Sequence, residues 1–271
     1  MSDDYAVFGH PIEHSLSPQI HHAFAEQTQQ ALVYQKQLVE PGEFVEAVNA
    51  FRQQGGRGLN ITVPFKEEAF NVADELSDLA QRAGAVNTLV FSGDVIVGHN
   101  TDGLGLFRDL TENHGVDLHG KKLLILGAGG AVRGVIQALL SADPEQLVIA
   151  NRTESKAHTL AEHFKDLGAI RACGYADLDG DAYDVIINGT SSGLSGELPP
   201  LPDQLLNPNA TTYDMVYAKE PTAFVRWGRE HGAARALDGL GMLVEQAAEA
   251  FSLWRGIRPY TAPVIRQLRG S

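Results

Sequence analysis

Residues 122–153 read KLLILGAGGAVRGVIQALLSADPEQLVIANRT, and this stretch sets the architecture of the chain. It contains an apolar run at 122–126, a glycine turn at 127–131, a helical pattern at 132–141 and a second apolar run at 146–150. Fully apolar strands separated by helices are typical of a parallel sheet that is covered on both faces. The segment therefore predicts an α/β unit.

The glycine turn predicts a dinucleotide site of the Rossmann type. The turn consists of Gly127, Ala128, Gly129, Gly130 and Ala131. Such a turn lets the backbone approach a pyrophosphate, while the N-terminus of the following helix supplies free N–H groups and a positive dipole. The usual fingerprint has Gly or Ala at the next position, where Val132 stands, so we expect Gly130 or Ala131 to take over the close-packing role. An ordinary strand-to-helix turn is the alternative.

The end of the second apolar run indicates which dinucleotide binds. NAD sites place Asp or Glu there to accept hydrogen bonds from the ribose 2′-hydroxyl. This chain has Asn151, Arg152 and Thr153, with Lys156 one helical turn further on. Two cations and a hydroxyl suit a 2′-phosphate, so we predict NADP rather than NAD. A solvated helix start, with Glu154 alongside, is the alternative.

The surrounding pattern divides the chain into three blocks: an α/β domain at 1–102, the Rossmann domain at 103–239 and a helical segment at 240–271. In the first block we predict strands at 5–9, 32–39 and 58–63, helices opening at Ser17, at 44–54 and near 65, and a hairpin at 87–91 and 95–99. In the second block, after the quoted segment, we predict helices at 154–164 and 222–231 and strands at 184–188 and 211–215. The last block has no strand of its own, so we expect it to pack back on the first.

The bulk composition excludes several classes of protein. The chain carries 21 basic and 34 acidic residues, a net charge of −13, so long-range repulsion disfavours nucleic acid and anionic membranes as partners. No apolar run approaches the roughly 18 residues of a membrane helix. The single Cys173 permits no intrachain disulfide, and Pro11 disfavours a helical metal motif from His10 and His14, so we expect no metal. We expect a soluble cytoplasmic protein, either a monomer or a homodimer.

Polar residues that could carry chemistry cluster after the strand predicted at 58–63. Strand alternation places Asn60 and Thr62 on one face, and Lys66 follows just beyond the strand. The helix dipole disfavours a lysine in the first turn of a helix, so a functional role is one explanation of Lys66. A solvated surface charge is the commoner explanation of a single lysine. Asp102 precedes a helix predicted at 104–110, where it could serve as an N-cap or as a carboxylate at a cleft between two domains. Both roles can coexist.

Two serines near the N-terminus predict a carboxylate-binding site. Ser17 followed by Pro18 is a good N-cap, whereas capping does not explain Ser15. Hydroxyls beside a helix N-terminus would bind a small carboxylic acid, and capping alone is the alternative. Several other positions are less informative by themselves: Asn87, Tyr217, Gln246, and Thr190 and Ser191 in the loop after a strand end. Gly239 and Met242 are equally uninformative alone, but they could approach a flat ring.

In this order, the motifs resemble the shikimate dehydrogenase family along essentially the whole chain. The matching pieces are Ser15-Leu16-Ser17-Pro18, Asn60-Ile61-Thr62-Val63-Pro64-Phe65-Lys66, Gly84-Ala85-Val86-Asn87-Thr88, Asn100-Thr101-Asp102-Gly103, Gly127-Ala128-Gly129-Gly130-Ala131 and Asn151-Arg152-Thr153. The resemblance implies NADPH-dependent reduction of the C3 ketone of 3-dehydroshikimate to shikimate, on the route to aromatic amino acids. It also implies a cleft between a substrate domain and a Rossmann domain.

The resemblance also assigns roles to individual residues. Lys66 and Asp102 would form the acid–base pair. The implied substrate-binding residues are Ser15, Ser17, Asn60, Thr62, Lys66, Asn87, Asp102, Tyr217 and Gln246. Together with the positions derived above, the expected cofactor-binding residues are Asp78, Gly127, Ala128, Gly129, Gly130, Ala131, Asn151, Arg152, Thr153, Lys156, Thr190, Ser191, Met215, Gly239 and Met242.

Two other functions remain open at this stage. Quinate/shikimate dehydrogenases share the serine and lysine motifs but often carry an acidic residue near the second strand's tip, and Thr153 and Lys156 point away from them. A non-catalytic NADP-binding regulator would be expected to have lost Lys66 or Asp102, and both are present.

Overall fold

The structure is a computed structural model that describes residues 2–178, 180–190 and 198–270. The chain forms two compact units, one comprising 1–105 and 244–271 and the other 106–243. The functional domains expected from the sequence are 1–102, 103–239 and 240–271. Their boundaries fall a few residues before those of the compact units, and the functional division stays a prediction. No helix in the described ranges is long and apolar enough to cross a bilayer.

The first unit is built on a six-stranded mixed sheet. Its strands are β1 (Asp3–Gly9), β2 (Leu32–Leu38), β3 (Gly56–Ile61), β4 (Glu75–Leu76), β5 (Thr88–Ser92) and β6 (Val95–His99), in the order β2-β1-β3-β5-β6-β4. The helices that begin in the same part of the chain are α1 (Ser17–Thr28), α2 (Phe44–Gln53), α3 (Lys66–Val72), α4 (Asp78–Ala83) and α5 (Asp102–Arg108). The central strand β3 pairs in parallel with β1 and antiparallel with β5.

The last two helices, α9 (Leu240–Arg255) and α10 (Thr261–Arg269), complete this unit. Trp254 stacks on Tyr5 with ring centroids 4.6 Å apart, and its indole nitrogen donates to the carbonyl of Leu89 at 3.0 Å. Arg255 donates to the side chain of Gln30 at 2.7 Å. The expectation that the C-terminal helices pack back on the first domain is thereby confirmed.

Two segments of the first unit fold differently from the sequence prediction. The strand predicted at 58–63 ends at Ile61, and Thr62 instead starts a turn in which its carbonyl accepts from the Phe65 amide at 3.1 Å. The helix predicted near 65 is two helices, because the chain between them pairs with β6. Asp74 makes that pairing: its amide donates to the Ile96 carbonyl at 2.8 Å, and its carboxylate accepts from the Ile96 amide at 2.7 Å.

The second unit contains a six-stranded sheet whose strand pairs are all parallel. Its elements are β7 (Lys122–Leu126), α6 (Gly130–Leu140), β8 (Gln146–Ala150), α7 (Glu154–Phe164), β9 (Ile170–Cys173), β10 (Tyr183–Asn188), β11 (Leu206–Asp214), α8 (Ala223–Glu230) and β12 (Arg235–Leu237). The order is β12-β11-β10-β7-β8-β9. The first strand of the unit thus lies beside the fourth, as in the doubly wound dinucleotide fold. This confirms the predicted Rossmann-type sheet.

The continuous apolar strands of this unit are explained by burial on both faces. Alternate residues of β7 pack into two different cores: Leu123 and Ile125 join a core with α6 and α7, whereas Leu124 and Leu126 join the opposite core. The strands β9 and β12 were not predicted, because runs of four and three residues are too short to show a period.

A histidine lies in the aromatic core of the first unit. His21 of α1 is fully buried and stacks on Tyr34, with ring centroids 4.2 Å apart and planes inclined by 7°. Burial lowers the pKa of His21 to about 3. The ring is therefore neutral in the folded protein over the whole range in which an unfolded histidine takes up a proton.

We expect acid to destabilise the fold through His21. Below pH 6.5 the unfolded chain binds a proton that the folded chain does not, so the free energy of unfolding falls by about 1.4 kcal/mol for each pH unit. Chemical denaturation at pH 6.5 and pH 5 should show a fall of about 2 kcal/mol that is absent in His21→Phe. His22 lies next to it and is exposed, so His22→Phe should keep the wild-type pH dependence; an unchanged slope in His21→Phe would contradict the assignment.

Candidate active site

The central contact of the first unit joins Lys66 and Asp102. Lys66 is the first residue of α3, Asp102 is the first residue of α5, and Nζ lies 2.5 Å from Oδ2. The Lys66 side chain is 29% exposed and that of Asp102 11%, so the ammonium keeps some access to solvent. Asp102 is the first residue of the helix and not its N-cap, and the Asn100 side chain accepts from its amide at 3.1 Å. Both carboxylate oxygens of Asp102 face side chains.

Asn87 connects this ion pair to the rest of the cluster. Its Nδ2 donates to Asp102 Oδ1 at 2.9 Å and to Thr101 Oγ1 at 3.0 Å, while its Oδ1 accepts from the Thr101 amide at 2.9 Å. The Oε1 of Gln246 on α9 accepts from Asn87 at 3.3 Å and from Thr101 at 3.4 Å. The structure therefore brings together four of the predicted residues: Lys66, Asn87, Asp102 and Gln246.

Asn60 belongs to the same hydrogen-bonded network. Its Nδ2 donates to Thr88 Oγ1 at 3.1 Å and to the carbonyl of Asn87 at 3.3 Å. Its Oδ1 accepts from the phenol of Tyr34 at 2.7 Å. Tyr34, Thr88 and Thr101 were missed by the sequence reasoning, because each lies in or next to a strand where its residue type is ordinary.

The two serines differ in their surroundings. The helix α1 begins at Ser17 with Leu16 as the N-cap, so the expectation that Ser17 caps the helix is wrong. Ser15 performs a related task, since its Oγ accepts from the Ser17 amide at 3.3 Å. Ser17 is 7% exposed and lies near Tyr34, whose phenol donates to Asn60. Neither serine is the N-cap of α1, and the carboxylate-binding role assigned to them stays a prediction.

Three other predicted residues belong to other elements of the fold. Thr62 follows β3 and packs so closely on Gly9 that a Cβ at that glycine would lie 2.3 Å from Thr62 Cγ2. Asp78 begins α4, a helix separate from the one that carries Lys66. Tyr217 belongs to the second unit, where burial raises its pKa. The parts assigned to these three residues stay predictions.

The glycine turn of the second unit has the shape that a pyrophosphate requires. Gly127 has a φ of +104°, and its amide donates to the carbonyl of Ala150 at 2.8 Å, which folds the turn over the neighbouring strand. A Cβ at Gly129 or Gly130 would meet no atom within 4 Å. The helix α6 begins at Gly130, two residues before the predicted start. The turn thus leaves an open cradle at a helix N-terminus, as anion binding needs.

The close-packing role in this turn lies elsewhere than expected. Because a side chain at Gly130 would meet open space, Gly130 does not supply it. Val132 is instead fully buried, and its partner is Gly189 after β10: a Cβ at Gly189 would lie 2.5 Å from Val132 Cγ2 and 3.1 Å from Met215 Sδ. The glycine that allows close approach is therefore Gly189, at the end of the facing strand, and not a residue of the helix.

The tip of β8 presents the predicted cations to solvent. Asn151 Nδ2 donates to the carbonyl of Thr153 at 2.9 Å, which shapes the lead-in to α7. Glu154, the acidic neighbour, lies 2.9 Å from His158. Arg152 and Lys156 are exposed, and neither pairs with a carboxylate in the part of the chain that the structure describes. The carboxylate that could have neutralised them is engaged elsewhere.

The remaining cofactor candidates follow other strands of the same sheet. Thr190 Oγ1 donates to Asn188 Oδ1 at 2.7 Å, and Gly239 approaches Met215 so closely that a Cβ would lie 2.3 Å from the Met215 carbonyl oxygen. Met242 is 8% exposed and packs in the core of the unit. Ser191 lies outside the described residues. Among the described residues, no group of three His, Cys, Asp or Glu side chains could hold a metal ion.

Comparison with known families agrees with this geometry. The model of the shikimate dehydrogenase substrate-binding domain matches residues 7–89, that of shikimate/quinate 5-dehydrogenase matches 109–195, and that of the shikimate 5′-dehydrogenase C-terminal domain matches 239–269. The chain belongs to the shikimate dehydrogenase family. The resemblance noted from the sequence motifs is confirmed.

Relatives of the shikimate dehydrogenase family cover the chain from end to end. The NADP(+) shikimate dehydrogenase of Alkalilimnicola ehrlichii is 60% identical over 99% of both chains. The crystal structure of the Ael1 enzyme from Pseudomonas putida is 48% identical over 98% of both chains, with a TM-score of 0.95. Shikimate 5-dehydrogenase from Thermus thermophilus, solved with NADP(H) and shikimate, is 33% identical over 99% of both chains, with a TM-score of 0.88.

We expect Gly189→Ala to force a clash with Val132. Overpacking of this kind costs about 1–3 kcal/mol, and Val132→Ala in the same chain should recover part of the loss because it removes the Cγ atoms. Urea unfolding of the two single variants and the double variant measures the coupling. Gly130→Ala serves as a control, since its new Cβ meets open space, and additive losses in the cycle would rule out the proposed contact.

Proposed function

We propose that this protein catalyses the reversible, NADP-dependent reduction of 3-dehydroshikimate to shikimate, with Lys66 and Asp102 as its acid–base pair. The observation that carries the proposal is the 2.5 Å contact between Lys66 Nζ and Asp102 Oδ2, set in a network of amides that hold both groups in place. The choice of reaction is supported by relatives that match almost the whole chain and are named NADP(+) shikimate dehydrogenases.

When bound, NADPH supplies the hydride that reduces the ketone, and NADP takes it back in the reverse direction. As the carbonyl oxygen becomes negative, Lys66 Nζ donates a proton to it, and in oxidation Lys66 accepts that proton from the hydroxyl. Asp102 Oδ2 orients the ammonium and balances its charge. Asn87 holds the other carboxylate oxygen at 2.9 Å, so that the carboxylate cannot turn away from Lys66.

The polar side chains of this network suit a hydroxylated ring with a carboxylate, since Asn60, Asn87 and Gln246 offer amide groups. We assign further contacts with the ring to the hydroxyls of Thr62 and Tyr217. Ser15 and Ser17 lie at the start of α1, where hydroxyls and the helix dipole favour an anion, and we assign the substrate carboxylate to them.

The residues of the second unit suit NADP. The open cradle at Gly129 and Gly130 fits the pyrophosphate, and the two exposed cations at the tip of β8, Arg152 and Lys156, fit the 2′-phosphate. We assign the remaining cofactor contacts to Asp78, Thr190, Ser191, Met215, Gly239 and Met242. The free, buried Cys173 suits a reducing compartment, and we propose a cytoplasmic location.

A second candidate is a dual quinate/shikimate dehydrogenase, which the family description of residues 109–195 favours. A matrix of initial rates for shikimate and quinate with NADP and NAD distinguishes the two. We expect growth of NADPH absorbance with shikimate, and comparable turnover of quinate would establish the dual enzyme. Silence with all four pairs would refute both and leave the NADP-binding regulator.

We expect Arg152→Gln to weaken NADP selectively. Loss of charge-assisted hydrogen bonds to a 2′-phosphate should raise the KM for NADP by about tenfold or more, since a tenfold change is about 1.4 kcal/mol. The KM for NAD should stay within about twofold, because NAD lacks that phosphate. The exposed Arg229 on α8 provides the control Arg229→Gln, and equal losses for both nucleotides would contradict the assignment.

We expect Lys66→Ala to abolish turnover. The variant removes the proton donor, so kcat should fall by a factor on the order of 10² or more, with a modest change in the KM for shikimate. Lys36 lies on β2 of the same unit and contacts the carbonyl of Glu13, so Lys36→Ala should retain activity. Near-normal turnover in Lys66→Ala would show that another group moves the proton.

A further inference from the structure

A turn at the start of α9, residues 239–242, is held by unusually close backbone approaches. Gly239 abuts the carbonyl oxygen of Met215, and a Cβ at Gly241 would lie 1.9 Å from Asp109 Oδ1. Asp109 is 1% exposed, so its carboxylate has no room to withdraw. Each of the two glycines is therefore required by a different close neighbour, and neither is explained by a general need for flexibility.

Asp109 is itself fixed by a buried tyrosine. It opens a π-helical turn, Asp109–Asn113, of a kind that is rare and often found near functional sites. Tyr213 on β11 donates its phenol proton to Asp109 Oδ2 at 2.7 Å, and Asn113 donates to Oδ1 at 2.9 Å. Burial raises the pKa of Tyr213 well above its usual value, so the phenol keeps the proton that it donates.

The same tyrosine also packs near the turn. Tyr213 and Met242 belong to the same hydrophobic core, and the side chain of Asp238 accepts from the Leu240 amide at 3.2 Å. Amides in the first turn of a helix have no partner within the helix. Asp238 therefore satisfies one amide at the start of α9, while Asp109, held by Tyr213, packs against that start from a segment distant in sequence.

The order of the sheet indicates which part of the cofactor this turn faces. The 2′-phosphate residues follow β8, and the pyrophosphate cradle follows β7, next to it. A dinucleotide that lies across the carboxyl ends of the strands must then place its nicotinamide half over β10 and β11, on the other side of β7. Met215 follows β11 directly, and the 239–242 turn packs on Met215.

We infer that Asp109 and Tyr213 are positioning residues for the nicotinamide half of NADP, acting through the 239–242 turn. The inference rests on the proposed function, because it needs NADP to lie across this sheet. The pair touches no reacting atom; it sets where Gly239 and Met242 meet the ring. Removing the phenol oxygen should loosen the turn and leave the adenosine half of the site intact.

The test is calorimetric titration of Tyr213→Phe with two ligands, NADP and adenosine 2′,5′-bisphosphate, which lacks the nicotinamide half. We expect the Kd for NADP to rise about tenfold, a difference of about 1.4 kcal/mol, because a loosened turn must be ordered when the nicotinamide half binds, while the Kd for the bisphosphate stays within about twofold. Tyr183→Phe is the matched control, since it removes a phenol from β10 of the same sheet, where the hydroxyl contacts Asp181 at 3.2 Å.

Three results would overturn the inference: wild-type NADP affinity in Tyr213→Phe, equal weakening of both ligands, or equal weakening in Tyr183→Phe. If Tyr213→Phe does not fold, Asp109→Asn takes its place under the same criteria. Wild-type protein that binds NADP yet turns over neither shikimate nor quinate would instead refute the proposed function, without affecting the comparison of the two ligands.

Discussion

The carboxylate of Asp102 is the constraint on which the first unit depends. A carboxylate with little exposure to solvent needs partners for both oxygens, and here one oxygen meets Lys66 and the other meets Asn87. Because Asn87 must donate to Asp102, its carbonyl oxygen has to face Thr101, and the donors of Thr101 and Asn87 then converge on Gln246. One ion pair thus settles the orientation of three neighbouring polar groups.

The two units prepare their sites by different physical means. The first uses side-chain hydrogen bonds between elements distant in sequence, so its chemistry depends on amide and hydroxyl orientation. The second uses backbone approach: a left-handed glycine at 127, an open cradle at 129 and 130, and glycines at 189, 239 and 241 that admit neighbouring atoms. A fold of this kind hosts several activities, so the proposed reaction rests on the polar residues of the first unit.

Much of the architecture could be predicted, because the local pattern of apolar residues determines most of its strands and helices. The bounds of β7, β8 and α7 match the sequence prediction, since each is a strongly periodic segment with clear ends. The errors occur where a distant partner decides the local structure. Asp74 adds a strand by pairing with Ile96, and Thr62 leaves its strand to close a turn on Phe65. Within the site, the contact between Lys66 and Asp102 was expected from the order of the motifs. The hydrogen bond from Tyr34 to Asn60 joins two strands that are distant in sequence, and no local sequence pattern predicts it.

The contact between Val132 and Gly189 changes what a fingerprint motif means. The space that a third glycine normally provides within the helix is here provided from across the sheet, 57 positions later in the chain. Substitutions at the two sites are then free to exchange roles, provided that one large and one absent side chain face each other. A nucleotide-binding motif of this type depends on two segments of the chain that are in contact. A sequence pattern taken from one segment therefore describes only one of the two.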